Sequence, residues 1–298
     1  MPASARDWAG YRVTEAYGRF PSAFLIAFCD LVARLIRRGV LNVLTYDDFL
    51  WEDDRDYVNR YPDEWRRWNA AADPERIHLL IQHDVDVLPE RTESLLGHQR
   101  TLGIPTNIML FWRNHDRRIL EQTQRAVPSC YQCDHAFLSE CAKAGWVIGY
   151  HNNSYERGGF DLEAAARIFL DDIAALSRHY DLAYFSAHGG ARDAQGRSNN
   201  RMTPPPGSTL RWVHNRYSPR FHGDYTDSLL LTGQKDPGEY IGAMRPGRRY
   251  RILFHPQYYW QPVRACTGTE WSARIRQDPG AYWESVEDRL LSHLAEIC

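Results

Sequence analysis

The stretch Ile77-His78-Leu79-Leu80-Ile81-Gln82-His83-Asp84-Val85-Asp86 joins an apolar run to two acids spaced one residue apart. The run predicts a strand over 77–83 that leads into the Asp-Val-Asp tail. Side chains alternate across a strand, so both carboxylates leave on the same face. Two acids on one face repel unless a cation or a shared proton separates them. The pattern suits a metal site in which one carboxylate binds the ion and the other acts as a base. A strand-end turn, where Asp is common, is the plainer explanation of the same letters.

Around this run, strands and helices alternate. Ser22 to Arg38 reads as an amphipathic helix with Leu25, Phe28, Leu31, Val32, Leu35 and Ile36 on one broad face, stopped by Gly39. Leu41 to Tyr46 reads as a strand, and 51–76 as charged loop and short helix. Further strands are expected at 106–112, 146–150, 182–187 and 250–255, with a weaker one near 211–214. Helices are expected at Glu90 to Leu102, Asp134 to Ala144 and Asp161 to Tyr180, and a closing helix at Pro279 to Cys298. Alternation of this kind implies a parallel sheet or a β/α barrel. One domain over 1–298 is expected, with a helical extension over about the first 40 residues. The polar stretch 189–207 is long for a connection, and such loops often stand over a site.

A formal charge of −2 gives no basic field, which argues against a nucleic-acid partner. The strongest apolar cluster, Ala23 to Phe28, is too short to span a bilayer. Met1 to Asp7 lacks the apolar core of a signal peptide, and the six cysteines form no compact framework, so a cytoplasmic protein with reduced thiols is expected. Cys130-Tyr131-Gln132-Cys133 is a lone pair of thiols, read as incidental in preference to structural zinc. The 10 Trp and 17 Tyr fit a carbohydrate ligand, whose sugar faces stack on aromatic rings, nearly as well as they fit an ordinary core.

The decisive pattern lies at the strand ends. The run from 77 leads into His83, Asp84 and Asp86; 146–150 leads into His151, 182–187 into His188, and 250–255 ends in His255. Active sites of β/α barrels gather at the C-terminal ends of several strands. One carboxylate and two imidazoles form a common ligand set for Zn²⁺, and similar sites hold Fe²⁺, Co²⁺, Ni²⁺ or Mn²⁺. Such an ion lowers the pKa of water and polarises a carbonyl. A second carboxylate is then available to take a proton, and a histidine to protonate the leaving amine. The inventory fits hydrolysis of an amide or ester.

These segments resemble the polysaccharide deacetylases of the NodB-homology type (carbohydrate esterase family 4), in particular the branch with a His-Asp-Val-Asp motif. The resemblance covers about 22–260 and rests on Leu79 to Asp86, Leu102-Gly103-Ile104-Pro105-Thr106, Ile148-Gly149-Tyr150-His151, Phe185-Ser186-Ala187-His188-Gly189 and Phe254-His255-Pro256. It implies a distorted (β/α)7 barrel and metal-dependent removal of an N- or O-acyl group from a sugar, with water on the ion as nucleophile. By this resemblance Asp84 is the catalytic base, Asp86 and His151 are metal ligands, and His255 is the general acid.

Two departures stand out. The family's second motif is commonly His-x-x-x-His, and this chain has Tyr155 at the second position. His188 is the candidate third ligand, with Tyr155 or Glu156 next. No clear match exists for the Arg that holds the base, and Arg192 or Arg157 are the candidates. The expected substrate contacts are His83, Tyr150, Asn152, Asp227, Tyr258 and Trp260, with Asp227 and Asp224 alternatively supporting His255 or forming a solvated turn. The substrate expected is a small molecule or oligosaccharide. Alternatives are hydrolysis of another C–N bond, as in a cyclic amide or ureide, and a non-catalytic barrel that binds carbohydrate.

Overall fold

The structure, a computed structural model, describes residues 20–48, 73–87, 89–123, 125–129, 131–213, 221–259 and 269–297. Its helices are α1 (Ser22–Arg37), α2 (Pro89–Thr101), α3 (Arg117–Thr123), α4 (His135–Lys143), α5 (Ser154–Arg157), α6 (Leu162–Leu176), α7 (Asp227–Leu231), α8 (Pro237–Gly242), α9 (Glu270–Gln277) and α10 (Pro279–Ile297). Its strands are β1 (Leu41–Leu44), β2 (Ile77–Val85), β3 (Asn107–Leu110), β4 (Asn114–His115), β5 (Pro128–Ser129), β6 (Val147–Asn152), β7 (Tyr184–Ala187), β8 (Arg211–Trp212), β9 (Gly223–Thr226) and β10 (Arg249–Phe254).

A curled parallel sheet runs β8-β7-β6-β3-β2-β10-β9, a half-barrel of seven strands, with β1 also paired to β2. The outermost strands β8 and β9 do not pair with each other among the described residues. The sheet is thus an open, curled form compatible with a distorted barrel. Strand β2 is its axis, buried along all nine residues. One edge of β2 carries β10 over His78–His83, while the other carries β1 over Ile77–Leu80 and then β3 over Gln82–Val85. A strand that buries both edges and both faces reads as a near-continuous apolar run, as Ile77 to Ile81 does. The strand extends to Val85, two residues beyond the expected end, so Asp84 lies within it and Asp86 just past it.

Alternation along β2 sorts its residues between two cores. Ile77, Leu79 and Ile81 face the layer formed by α1 and α10, where Phe24, Phe28 and Trp283 pack ring against ring. Trp283 is almost fully buried and donates its indole N–H to the Phe24 carbonyl at 3.0 Å. The helix beginning at Ser22 is therefore built into this core; the expected extension before residue 20 lies outside the described residues. Leu80 faces the other way, into the barrel, with Tyr46, Met109, Val147 and Tyr184. A third cluster, with Ile108, Ile148, Phe169 and Phe185, seals β3, β6 and β7 under α2, α4 and α6.

Helices α1, α2 and α4 end alike. Gly39, Gly103 and Gly145 have φ of +74°, +69° and +88°, and the residue after each donates its N–H back to the carbonyl of Leu35, Gln99 or Cys141. That left-handed cap satisfies helix-end carbonyls and suits glycine, and it turns each chain toward the following strand. The helix and strand positions expected at these joints are found within a few residues. Strand β9 and helices α3, α7, α8 and α9 were not anticipated. No helix of the described residues is long and apolar enough to cross a membrane.

Candidate metal centre

Parallel strands all deliver their C-terminal ends to one side of the sheet, and the strand-end residues meet there. His151 on β6 places Nε2 3.1 Å from Asp86 Oδ1 and 3.7 Å from Asp84 Oδ2. His188, directly after β7, places Nε2 3.8 Å from Asp86 Oδ2. Asp86, His151 and His188 can hold a metal ion: one ligand atom from each lies within 4.8 Å of the others. Asp86 Oδ1 and His151 Nε2 are both buried and face each other, with no other hydrogen-bond partner among the described residues. Buried polar atoms are nearly always satisfied, so two such atoms aimed at one point fit a cation between them.

Each imidazole is held from behind. His151 Nδ1 lies 2.7 Å from Ser186 Oγ, and His188 Nδ1 lies 2.7 Å from Glu156 Oε1. Occupying Nδ1 leaves Nε2 directed to the centre, which is how metal-ligating histidines are oriented. The Phe111 ring packs on both, 4.9 Å from His151 and 5.1 Å from His188 between ring centres. Burial works against charge on Asp86, but His188 and His151 outweigh it and hold its carboxyl well below the ordinary range. Glu156, fully buried, is likewise held ionised against its desolvation by His188 and His115 and by the Ala191 N–H.

Asp84 is fixed by residues that the sequence reading did not single out. Gln82, two residues earlier on the same face of β2, donates to Asp84 Oδ1 at 2.6 Å. The Tyr46 hydroxyl donates to Gln82 Oε1 at 2.5 Å and accepts from Arg251 at 3.3 Å. Arg251 in turn pairs with Asp224 of β9 at 2.5 and 3.0 Å. Arg157 and Arg192, the expected partners of the base, are elsewhere: Arg157 pairs with Asp172, and Arg192 donates to the Gly196 carbonyl.

His255 follows β10 and is bound twice by Asp227, through its backbone N–H and through Nδ1, each at 2.6 Å. Burial disfavours the imidazolium, but the Asp227 carboxylate more than offsets it, with smaller help from Asp86 and Asp84. The ring is pushed up to about 10. Asp227 is fully buried behind His255, so it supports the ring instead of lining a substrate surface. Tyr258 packs its ring 5.3 Å from His255, whereas Tyr259 lies in the core with its hydroxyl on Asp227. Trp260 lies outside the described residues.

Three expected substrate contacts point away from the centre. His83 precedes Asp84 and takes the opposite face of β2, where Nε2 meets Gln99 and burial lowers the ring to about 4. Tyr150 and Asn152 flank His151 and are likewise turned outward: Tyr150 donates to Asp172, and Asn152 accepts the Ser154 N–H. Period-two alternation forces this, because neighbours of an inward residue face out. Tyr155, an alternative third ligand, spends its hydroxyl on Asp193 at 2.9 Å. Glu156 stands behind His188 and not in front of it.

The 189–207 segment serves the centre as a buckle. Buried Asn199 accepts the N–H groups of Tyr155 and Glu156 and donates to the His188 carbonyl. Gly190 passes so close that a Cβ there would lie 2.1 Å from Glu156 Oε2 and 2.5 Å from His188 Nδ1. Of the expected thiol pair, Cys133 forms no disulfide among the described residues and Cys130 lies outside them. The chain matches no family model and no curated protein.

Proposed function

We propose that this protein is a metal-dependent hydrolase that removes an N-acyl group, acetyl in the simplest case, from a sugar or sugar-containing metabolite. The observation that carries the reading is the convergence of Asp84 Oδ2 and Asp86 Oδ1 on His151 Nε2, beside a histidine held protonated by Asp227. A binding protein needs no second carboxylate at a metal point, whereas hydrolysis needs a base there. The resemblance of the strand-end segments to NodB-type deacetylases supports the same reaction, as does the Tyr258 ring beside His255.

Asp86, His151 and His188 would hold the cation, with Zn²⁺ the first choice for this donor set and Fe²⁺, Co²⁺, Ni²⁺ or Mn²⁺ as substitutes. Once bound, the ion supplies Lewis acidity, making water more acidic and the acyl carbonyl more electrophilic. Asp84 takes the proton that water gives up as its oxygen bonds to the acyl carbon. His255 gives a proton to the leaving nitrogen as the C–N bond breaks, yielding a carboxylic acid and a free amine. Asp227 keeps His255 charged until that moment and fixes its Nδ1, so the donated proton leaves from Nε2.

The test is acetate release from N-acetylglucosamine oligomers and from a nucleotide-linked N-acetylhexosamine, together with metal content per chain. Release that stops on chelation, returns with Zn²⁺ and disappears in Asp84→Asn is the expected result. Release that survives both chelation and Asp84→Asn overturns the reading. Turnover of cyclic amides with none of acetylated sugars would move the substrate class.

A further inference from the structure

Two glutamines touch the two aspartates in matching fashion. Gln82 Nε2 donates to Asp84 Oδ1 at 2.6 Å, and Gln257 Nε2 donates to Asp86 Oδ2 at 2.9 Å. Both glutamines are buried, at 0% and 2% exposure. Each amide thus occupies one oxygen of one carboxylate. The oxygens left over, Asp84 Oδ2 and Asp86 Oδ1, are the two that face His151 Nε2. We infer that Gln82 and Gln257 are positioning residues that divide the labour of the aspartates, Gln82 keeping Asp84 off the ion as the base and Gln257 confining Asp86 to one ligand oxygen. The inference rests on the deacetylase-type reading for the role of Asp84, and on the metal centre alone for Asp86.

Charge fixes the direction of both amides. A glutamine turned the other way would set its carbonyl oxygen against a carboxylate, which is repulsive. For Gln82 a second constraint acts. Arg251 has donors only, so it gives a hydrogen bond to the Tyr46 oxygen and leaves the Tyr46 hydroxyl proton for Gln82 Oε1. Every bond in the series Arg251, Tyr46, Gln82, Asp84 therefore points its proton toward Asp84. Arg251 and Tyr46 are themselves buried, so the series has little freedom to rearrange. Gln257 is held differently: it sits in the short turn Pro256–Tyr258 directly after His255, so its backbone is set by the same strand end.

The consequence at the centre is steric as well as electronic. With Oδ2 accepting from Gln257, Asp86 keeps Oδ1 as its oxygen toward His151, which favours one ligand oxygen over two for a cation that would bind there. Asp84, held at Oδ1 by Gln82, stands outside the group Asp86, His151 and His188, which leaves Oδ2 to accept a proton. Neither glutamine needs to touch substrate for this.

The experiment compares Gln82→Met and Gln257→Met, which keep side-chain length and remove the amide. Affinity for Co²⁺ is measured by chelator competition, the Co²⁺ visible absorption is recorded, and acetate release is resolved into kcat and KM. Gln257→Met is expected to weaken Co²⁺ binding by about tenfold or more, as loss of a ligand's hydrogen-bond partner does. Its Co²⁺ absorption should also fade as Asp86 becomes bidentate and the coordination number rises. Gln82→Met is expected to keep wild-type Co²⁺ affinity and KM while kcat drops about 100-fold, the usual effect of a misplaced base. Tyr46→Phe, which frees the Gln82 amide without altering β2, should lower kcat in the same sense, and Gln257→Leu repeats the other arm if Gln257→Met does not fold. Equal loss of metal in both glutamine variants, or wild-type behaviour in either, overturns the division of roles. If the wild-type protein releases no acetate, the reaction reading fails separately. The role of Asp84 falls with it, and the Co²⁺ affinities still decide that of Asp86: weakening in Gln257→Met alone upholds it, and equal affinities overturn it.

Discussion

Glu156 meets His188 at 2.7 Å on the side of the ring away from Asp86. The carboxylate is fully buried, and its second oxygen takes the Ala191 N–H at 2.6 Å. His188 is thereby held between two acids, one at each ring nitrogen. A carboxylate behind a ligating imidazole raises its basicity and fixes its tautomer. The position after Tyr155 is thus occupied by a support for His188, the candidate third ligand, and not by a ligand of its own.

Glu156→Gln tests that support. The amide keeps the shape but removes the charge, and its NH2 end must face either the Ala191 N–H or His188 Nδ1, where an acceptor stood before. Metal affinity should fall by about 10- to 100-fold, the range seen when such partners are lost. Competition titration with a coloured chelator measures it. Unchanged affinity would show that His188 needs no anion behind it.

Gly190→Ala should act on the same pair through sterics. The added methyl would lie 2.1 Å from Glu156 Oε2, inside any permitted contact, so the carboxylate must shift. Overpacking of this kind costs about 1–3 kcal/mol, read as a lower urea midpoint. The cost should shrink in a Glu156→Ala background, because the two positions share one space. An equal cost in both backgrounds would place the strain elsewhere.

Much of this centre was legible because its residues are strand-final polar groups after apolar runs. Asp84, Asp86, His151, His188 and His255 each end such a run, and the structure brings them together. The expected substrate contacts on the strands are turned away by the same alternation. His83, Tyr150 and Asn152 stand next to Asp84 and His151 in sequence, but adjacent strand residues face opposite ways, so they leave on the other side of the sheet. Strand β9, Gly223-Asp224-Tyr225-Thr226, has one apolar residue and no pattern to read. The support of Asp84 was hidden for another reason. Gln82 is 36 positions from Tyr46, and Arg251 is 205 from it, so only the folded sheet makes them partners.

Arg251 is the buried anchor of that support, and its removal should be costly. Its guanidinium is fully enclosed and pairs with Asp224, whose side chain is only 16% exposed. Breaking one partner of a buried pair leaves the other charge desolvated, at about 3–5 kcal/mol. Arg251→Met should therefore lower unfolding free energy by that order. Arg251→Met combined with Asp224→Leu should recover part of it, since the stranded carboxylate is gone. Urea denaturation of the wild type and the two variants measures both values, and a double variant no more stable than Arg251→Met would remove the ion pair as the cause.

The pH dependence of stability should carry the signature of His255 and Asp227. Burial alone would lower the ring, but Asp227 raises it from an ordinary 6.5 to about 10. The folded state thus binds the proton more tightly than the unfolded chain does. Its contribution is complete below about pH 6.5 and drains away as pH rises through the folded value near 10. A bound cation weakens the pull of Asp86 and moves the upper limit down, without changing the sign. Asp227→Asn removes the main cause, so the slope of stability between about pH 7 and about pH 9.5 should flatten. Acetate release should respond in parallel, its basic limb moving to lower pH in Asp227→Asn as the acid loses its proton earlier. Urea midpoints and kcat/KM across that window measure the two effects. An unaltered slope and an unaltered basic limb together would show that Asp227 does not set the charge on His255.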